Sequence, residues 1–529
     1  MVTGYGSIVR LFVMATALVA GLQLPATAGL LSPEEARGKQ IFLTGQSEAG
    51  RMIMAHVGRS SLSMPGKAMP CASCHGADGL GRPEGGVVPA NIRWTTLSQA
   101  AGSSAGSLHE RPAYTEATVV RAVAEGIDAG GTKLDVSMPR FEMDRQDMGD
   151  LLAYLRRLEH DLDPGLTGEG ITLGTIMPQG GTSDSLGKVA AGVMTAYFDE
   201  INQQGGIYNR RITLKVIEAS TKAQVIEQAT TVIEHGEVFA LVGPITSGVE
   251  QELDRLTEQH GVPLVGPFTQ FPRHEDSLQR HTFYLFGGLS MQGTALLDFA
   301  ANTFKLSPVK LSIVHSRGVQ LGSFAEDVRK HAAARNWPAP HVIECPQGPA
   351  EMAAVVAQLT AAGTNTVLFL GTESELASFL REGVRRAWAP YVLLPGVSSG
   401  TSLFTLPAEM NGLVFVAFPN GPDDYSEAGF AEFEGFRQRH QLSHHHLAAQ
   451  VAAYAAVKVL TEGLKTAGVM LSRDRLINAL EQLYEFKTGV TPVLTYGPNR
   501  RIGVQGAHVI GVDLTNHRFS APSHWVAVQ

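Results

Sequence analysis

Two thiols and an imidazole stand together in Cys71-Ala72-Ser73-Cys74-His75, and three chemistries use such a group. A structural zinc would need a second Cys/His pair at compatible spacing, and of the chain's 3 cysteines only Cys345 remains. A dithiol redox pair should follow a strand in a βαβ unit, whereas this motif follows Met64-Pro65-Gly66-Lys67. The third chemistry is covalent haem attachment. Thiols three positions apart on a helical turn reach the two haem vinyl groups, and the adjacent imidazole then lies under the iron. Cys71 and Cys74 are therefore expected to form thioethers, and His75 to be the proximal ligand, of one covalent haem c.

Other chemistry-bearing patterns are few. His444-His445-His446 cannot easily hold one ion, because consecutive helical residues point in different directions, and a solvated loop is the simpler reading. No H-E-x-x-H pair or phosphate-binding glycine loop occurs, and no nucleophile–base constellation is apparent, so no enzyme is indicated. Cys345, in Val342-Ile343-Glu344-Cys345-Pro346, reads as a small buried residue at a strand end. The net charge of −8 is small for 529 residues and no basic block is present, which gives no basis for a nucleic-acid partner.

The elements that must position these residues follow a leader-like start. Arg10 precedes an apolar run over 11–24, and Pro25-Ala26-Thr27-Ala28 supplies an A-x-A cleavage site. Residues 1–28 are expected to be a signal peptide, since a bilayer span needs about 20 apolar residues. No cysteine lies near the site for a lipid anchor, and no later segment is apolar for long enough to span. The mature chain is thus expected in the periplasm with no membrane span. Residues 31–160 are rich in Gly, Met, Arg and Ser, with helical patterns at their two ends. A Pro/Gly/Asp stretch over 161–170 reads as a linker. From 171 onward short β-branched runs alternate with amphipathic stretches. Strands are expected over 171–177, 211–217, 238–242, 262–265, 309–314, 366–370, 391–394, 413–418 and 507–513, with helices between, which describes βαβ units in two parallel sheets.

The surroundings of the haem motif resemble a class I cytochrome c domain, expected to be all-α over 31–160. Gly38 and Phe42 match that family's N-terminal helix, where the glycine permits close helix contact. Leu151, Tyr154 and Leu155 match the C-terminal helix that crosses it. That helix carries one apolar face, Met148, Leu151, Leu152, Leu155 and Leu158, with Asp144 as its N-cap. Ser137-Met138-Pro139-Arg140-Phe141 resembles the family's methionine-ligand loop, which implies Met138 as the distal iron ligand. Met52, Met54, Met64, Met69, Met143, His56 and His109 are its competitors. An iron saturated by His and Met suits outer-sphere electron transfer.

From 171 to the C-terminus the chain resembles the periplasmic binding proteins of the leucine/isoleucine/valine type, which implies a bilobed type I α/β fold. The matching pieces are Met177-Pro178-Gln179-Gly180-Gly181, the helix end and turn over 198–207 with Arg210-Arg211-Ile212, the segments 240–247 and 262–269, and Ala452-Ala453-Tyr454-Ala455-Ala456. The resemblance places lobe 1 at about 171–287 and 418–500, and lobe 2 at about 288–417 and 501–529. It also implies that Thr246, Ser247 and Thr269 face the cleft as hydroxyl donors, although Ser and Thr at such places also serve as N-caps. Gln179-Gly180-Gly181 stands where the family commonly shows a Ser-Gly pair, and a second-lobe grip on an ammonium group is not apparent, Glu373 being equally a helix start.

The multi-domain reading is thus an electron-carrying haem module fused to a small-solute-binding domain. Its solute is an amino acid, an amide or an organic acid. Its redox partner is a periplasmic dehydrogenase or another cytochrome, in an oxidation or uptake pathway. Two rivals are a transporter or sensor receptor with an accessory haem, and a peroxidase-like haem enzyme.

Overall fold

The computed structural model describes residues 31–528 apart from 59–61, 82, 84–85, 102–109, 182–183, 247, 274–278, 305, 307, 318–320, 322–323, 347, 422–423 and 425. The expected leader at 1–28, the candidate ligand His109 and the candidate donor Ser247 lie outside the described residues. Two compact units divide the chain, Met1–Leu162 and Asp163–Gln529.

In the first unit, α1 (Pro33–Thr44) opens on a reciprocal capping box between Ser32 and Glu35, with Pro33 in its first turn. It stops at Gly45, whose φ of 65° is the left-handed conformation that ends helices. There follow β1 (Met54–Val57), β2 (Leu62–Pro65), α2 (Cys71–His75), α3 (Trp94–Leu97), α4 (Glu116–Glu125), β3 (Arg140–Glu142) and α5 (Arg145–Arg157). Asp144 caps α5 by accepting from the Asp147 amide. Ile41 and Phe42 of α1 are buried against Leu151, Tyr154 and Leu155 of α5, with the Phe42 and Tyr154 rings 5.6 Å apart. The expected helices at the two ends are thus present and crossed. A three-stranded antiparallel sheet, in the order β2-β1-β3, is added to them. The all-helical expectation did not include it because the strands are short and mostly solvated, so their burial carries no clear alternation.

The second unit opens with β4 (Gly170–Pro178), α6 (Asp184–Gln203), β5 (Arg211–Ala219), α7 (Lys222–Glu234), β6 (Ala240–Val242), α8 (Glu250–His260), β7 (Leu264–Val265) and β8 (Thr282–Phe286). Next come α9 (Gly288–Thr303), β9 (Leu311–His315), α10 (Phe324–Ala334), β10 (His341–Glu344), α11 (Pro349–Ala361), β11 (Thr366–Leu370), α12 (Glu373–Arg385), β12 (Tyr391–Pro395) and β13 (Val414–Phe418). Helices α13 (Glu427–Arg439), α14 (Leu447–Ala467) and α15 (Arg473–Glu481) precede β14 (Ile502–Val504), β15 (Gly506–Asp513), β16 (Arg518–Phe519) and β17 (His524–Ala527).

Six strands pair in parallel in the order β14-β8-β7-β6-β4-β5. The other sheet runs β10-β9-β11-β12-β13 in parallel, then β15, which is antiparallel to β13, β16 and β17. Every residue of β6 and β11 is buried, as expected of central parallel strands with both faces covered. The ladders move the expected lobe limits by a few residues. Ile502–Val504 pairs with β8 in the first sheet, so the chain returns to the second lobe after 504 rather than at 501, and Phe418 stays in the second sheet. Within the first unit the Asp161 carboxylate accepts from Tyr154 and Lys39, and within the second Asp163 accepts from the Arg473 amide.

Candidate functional sites

In the first unit, Pro70 leads into the short helix α2, which carries both thiols and ends on His75. The imidazole is buried, and its Nδ1 lies 2.9 Å from the Ala90 carbonyl oxygen. A carbonyl can only accept, so Nδ1 carries the proton and Nε2 keeps its lone pair. Burial pushes His75 below its ordinary value, despite the opposing bond to Ala90, which keeps the ring neutral at pH 7. This is the arrangement of an imidazole with one nitrogen anchored and the other keeping a lone pair that a metal could take. Burial pushes the Cys71 thiol up to about 12, and a thiol held protonated is poorly suited to disulfide exchange. Cys71 and Ala72 of the motif pack against the same core cluster as the half-buried Met64, Met69, Ile92, Trp94, Met138 and Met143, apolar company of the kind a porphyrin needs. Two thiols, one neutral imidazole and these apolar side chains together fit haem c.

Met138 sits in a folded loop. Its amide donates to the Asp135 carbonyl at 3.1 Å, and the Asp135 carboxylate accepts from the Ser137 amide at 2.8 Å. Among its competitors, Met52 stands exposed, and His56 lies on β1 with its ring nitrogens facing Ser63 and Glu142.

In the second unit each sheet has one place where connections leave in opposite directions, between β4 and β6 in the first and between β9 and β11 in the second. Loops beyond the strand C-termini at such points form the binding crevices of open α/β sheets. The loop after β6 carries Thr246, which is buried and donates weakly to the Phe268 carbonyl at 3.4 Å. The loop after β7 carries Thr269, whose hydroxyl donates to Glu250 and accepts from the Phe271 amide at 2.9 Å. Glu250, at the start of α8, also accepts from the Gly248 amide at 2.8 Å. The structure thus brings Thr246 and Thr269 to adjacent loops, but their hydroxyls are already engaged by the chain.

The second lobe repeats the pattern. Ser316, just after β9, donates to Glu375, which also accepts from the Thr372 amide at 2.9 Å. Glu373 accepts from the Ser402 amide at 3.1 Å and so holds the loop after β12. Glu250, Ser316 and Glu375 were not foreseen from the sequence. The spacing Thr372-x-x-Glu375 is a capping-box signature that would have flagged the last. Exposed His446, with Nε2 2.9 Å from the Ser185 hydroxyl, belongs to the turn that starts α14. Cys345 is fully buried just past β10, and burial pushes its thiol up to about 11.

Comparison with known families decides the affiliation of the larger unit: the periplasmic binding protein family matches residues 170–516. The chain belongs to the periplasmic binding protein family. This binding protein also carries a cytochrome c domain, that family matching residues 66–159. The Leu/Ile/Val-binding protein homolog 3 of Brucella melitensis is 24% identical over 329 residues, covering 62% of this chain and 87% of that protein. The Leu/Ile/Val-binding protein BraC3 of Rhizobium johnstonii is 24% identical over 333 residues, with the same coverage. A branched-chain amino acid ABC transporter protein from Thermus thermophilus, solved with bound valine, superposes with a TM-score of 0.55 at 16% identity, covering 69% of this chain and 98% of that one. A periplasmic binding protein type 1 from Bordetella pertussis gives 0.53 at 15% identity, covering 68% and 100%. The binding protein thus has the bilobed type I fold preceded by a cytochrome c domain, and the Brucella, Rhizobium and Bordetella relatives are named as binding proteins. Among its described residues no helix is long and apolar enough to cross a membrane.

Proposed function

We propose that this is a periplasmic electron carrier with one covalently attached haem c, fused to a domain that closes over a small solute. Cys71 and Cys74 would hold the group by thioethers, and His75 and Met138 would be the ligands of its iron. When bound, haem c supplies one-electron redox chemistry. The anchored, neutral imidazole of His75 carries the reading, because its Nδ1 proton is committed to Ala90 and its Nε2 is left for a metal. With His75 and Met138 both as ligands, the group would suit electron transfer rather than oxygen or peroxide chemistry. Electrons come from or go to a periplasmic dehydrogenase or another cytochrome, in an oxidation or uptake pathway.

In the second unit the loops around Thr246, Thr269, Ser316 and Glu373 line the solute crevice, and the lobes move about the crossings that follow β8, β13 and β14. Expression with intact cytochrome maturation tests the haem reading. The expected product is coloured, lacks residues 1–28, and carries one haem on the peptide that contains Cys71 and Cys74. A colourless chain at its bare polypeptide mass would overturn the electron-carrying role and leave only solute binding.

A further inference from the structure

Arg140 opens β3 one residue after Pro139, and its backbone is fixed by the pairing of β3 with β1, where it faces His56. Its guanidinium turns back over the loop that precedes it. Nη1 donates to the Met138 carbonyl, and Nη2 donates to the carbonyls of Leu134 at 3.1 Å and Asp135 at 3.4 Å. Three backbone acceptors of one loop are thus gathered on a single planar cation.

The room for this clasp is built in. Gly126 ends α4 in a left-handed conformation with φ 68°, and a Cβ there would collide with the Arg140 guanidinium. The Gly126 carbonyl in turn accepts from the Leu134 amide at 2.8 Å, which ties the far end of the loop to α4. A flexible lysine ammonium has no such rigid fork of donors, so it could not reproduce this set of bonds.

We propose that Arg140 is the positioning residue for the Met138 sulfur. It fixes the carbonyl of Met138 itself and the start of its loop, and so limits how far the thioether can swing from the iron. The proposal rests on the reading of Met138 as distal ligand. Outer partners that orient a ligand typically change metal affinity about 10- to 100-fold when removed.

The test uses the full-length holoprotein and the variants Arg140→Ala, Arg140→Lys and Met138→Ala. The readouts are the ferric methionine-to-iron absorption band and the affinity for added imidazole, which competes with the sulfur. Met138→Ala is expected to abolish the band. Arg140→Ala should weaken the band and bind imidazole about 10-fold or more tightly than the wild type. Arg140→Lys should fall between, with unchanged haem content. Wild-type imidazole affinity and band in both Arg140 variants, with the band lost in Met138→Ala, would overturn the positioning role and spare the ligand assignment. A band that survives Met138→Ala would overturn the assignment itself, and the proposal with it. If Arg140→Ala fails to accumulate, Arg140→Lys decides alone, a wild-type value counting against the proposal.

Discussion

Gly38 of α1 lies directly on Tyr154 of α5: a Cβ built at Gly38 would come within 2.7 Å of the Tyr154 Cβ and would also strike the Asp150 backbone carbonyl. Neither neighbour is the free end of a flexible side chain, so the two helices can meet at this distance only through a residue without a side chain. The Arg37 guanidinium beside it makes two bonds to the Asp150 carboxylate, at 2.7 and 2.9 Å, which holds the crossing in register.

Gly38→Val should therefore force α1 and α5 apart and destabilise the first unit by roughly 1–3 kcal/mol. Urea unfolding followed by far-ultraviolet circular dichroism on both proteins measures it. A midpoint equal to that of the wild type would show that the helices have slack at this crossing.

The buried Asp147 carboxylate gives this unit an acid limit. Burial by itself would raise its pKa, but bonds from Arg51 and Ser47 outweigh that and hold the carboxyl below its ordinary value. A group depressed in this way binds fewer protons folded than unfolded. Its contribution is complete above the unfolded value of about 4 and drains away as pH falls through the folded one. Wild-type stability should thus drop between about pH 5 and pH 3 more steeply than that of Asp147→Asn, which is weaker at neutral pH. Parallel pH profiles for the two proteins would contradict this.

The acid beside the proposed solute crevice predicts a preference. Glu250 occupies the Thr269 hydroxyl and the Gly248 amide, donors that could otherwise receive a ligand carboxylate, and places a negative charge beside them. Glu250→Gln removes the charge at nearly constant shape. Calorimetric titration with leucine should show higher affinity in the variant than in the wild type. An unchanged or lower affinity would mean that Glu250 lies away from the bound solute.

Much of this molecule is legible without coordinates. The strand over 366–370 and the helix that starts at 373 stand where the alternation of short apolar runs and amphipathic stretches puts them, because period is a property of adjacent residues. Asp144 announces α5 for the same reason. The short strands of the first unit do not announce themselves, since β1 is completed by β3 from the far side of the haem motif and neither has the length to show a pattern alone.

What residue order alone determined is the chemistry that is local along the chain: the paired thiols with their neighbouring imidazole, the helix caps, and the alternation of strand and helix that makes one parallel sheet and the parallel part of the other, whose last three strands run antiparallel. Tertiary structure alone decided which groups close on one another across the fold. It turned the Ala90 carbonyl toward His75, folded Arg140 back over the Met138 loop through the space left by Gly126, and spent the Thr269 hydroxyl on Glu250. The physical reason is reach: capping and periodicity act over three or four residues, whereas the partner of a buried donor is whichever acceptor the packing of distant segments leaves beside it.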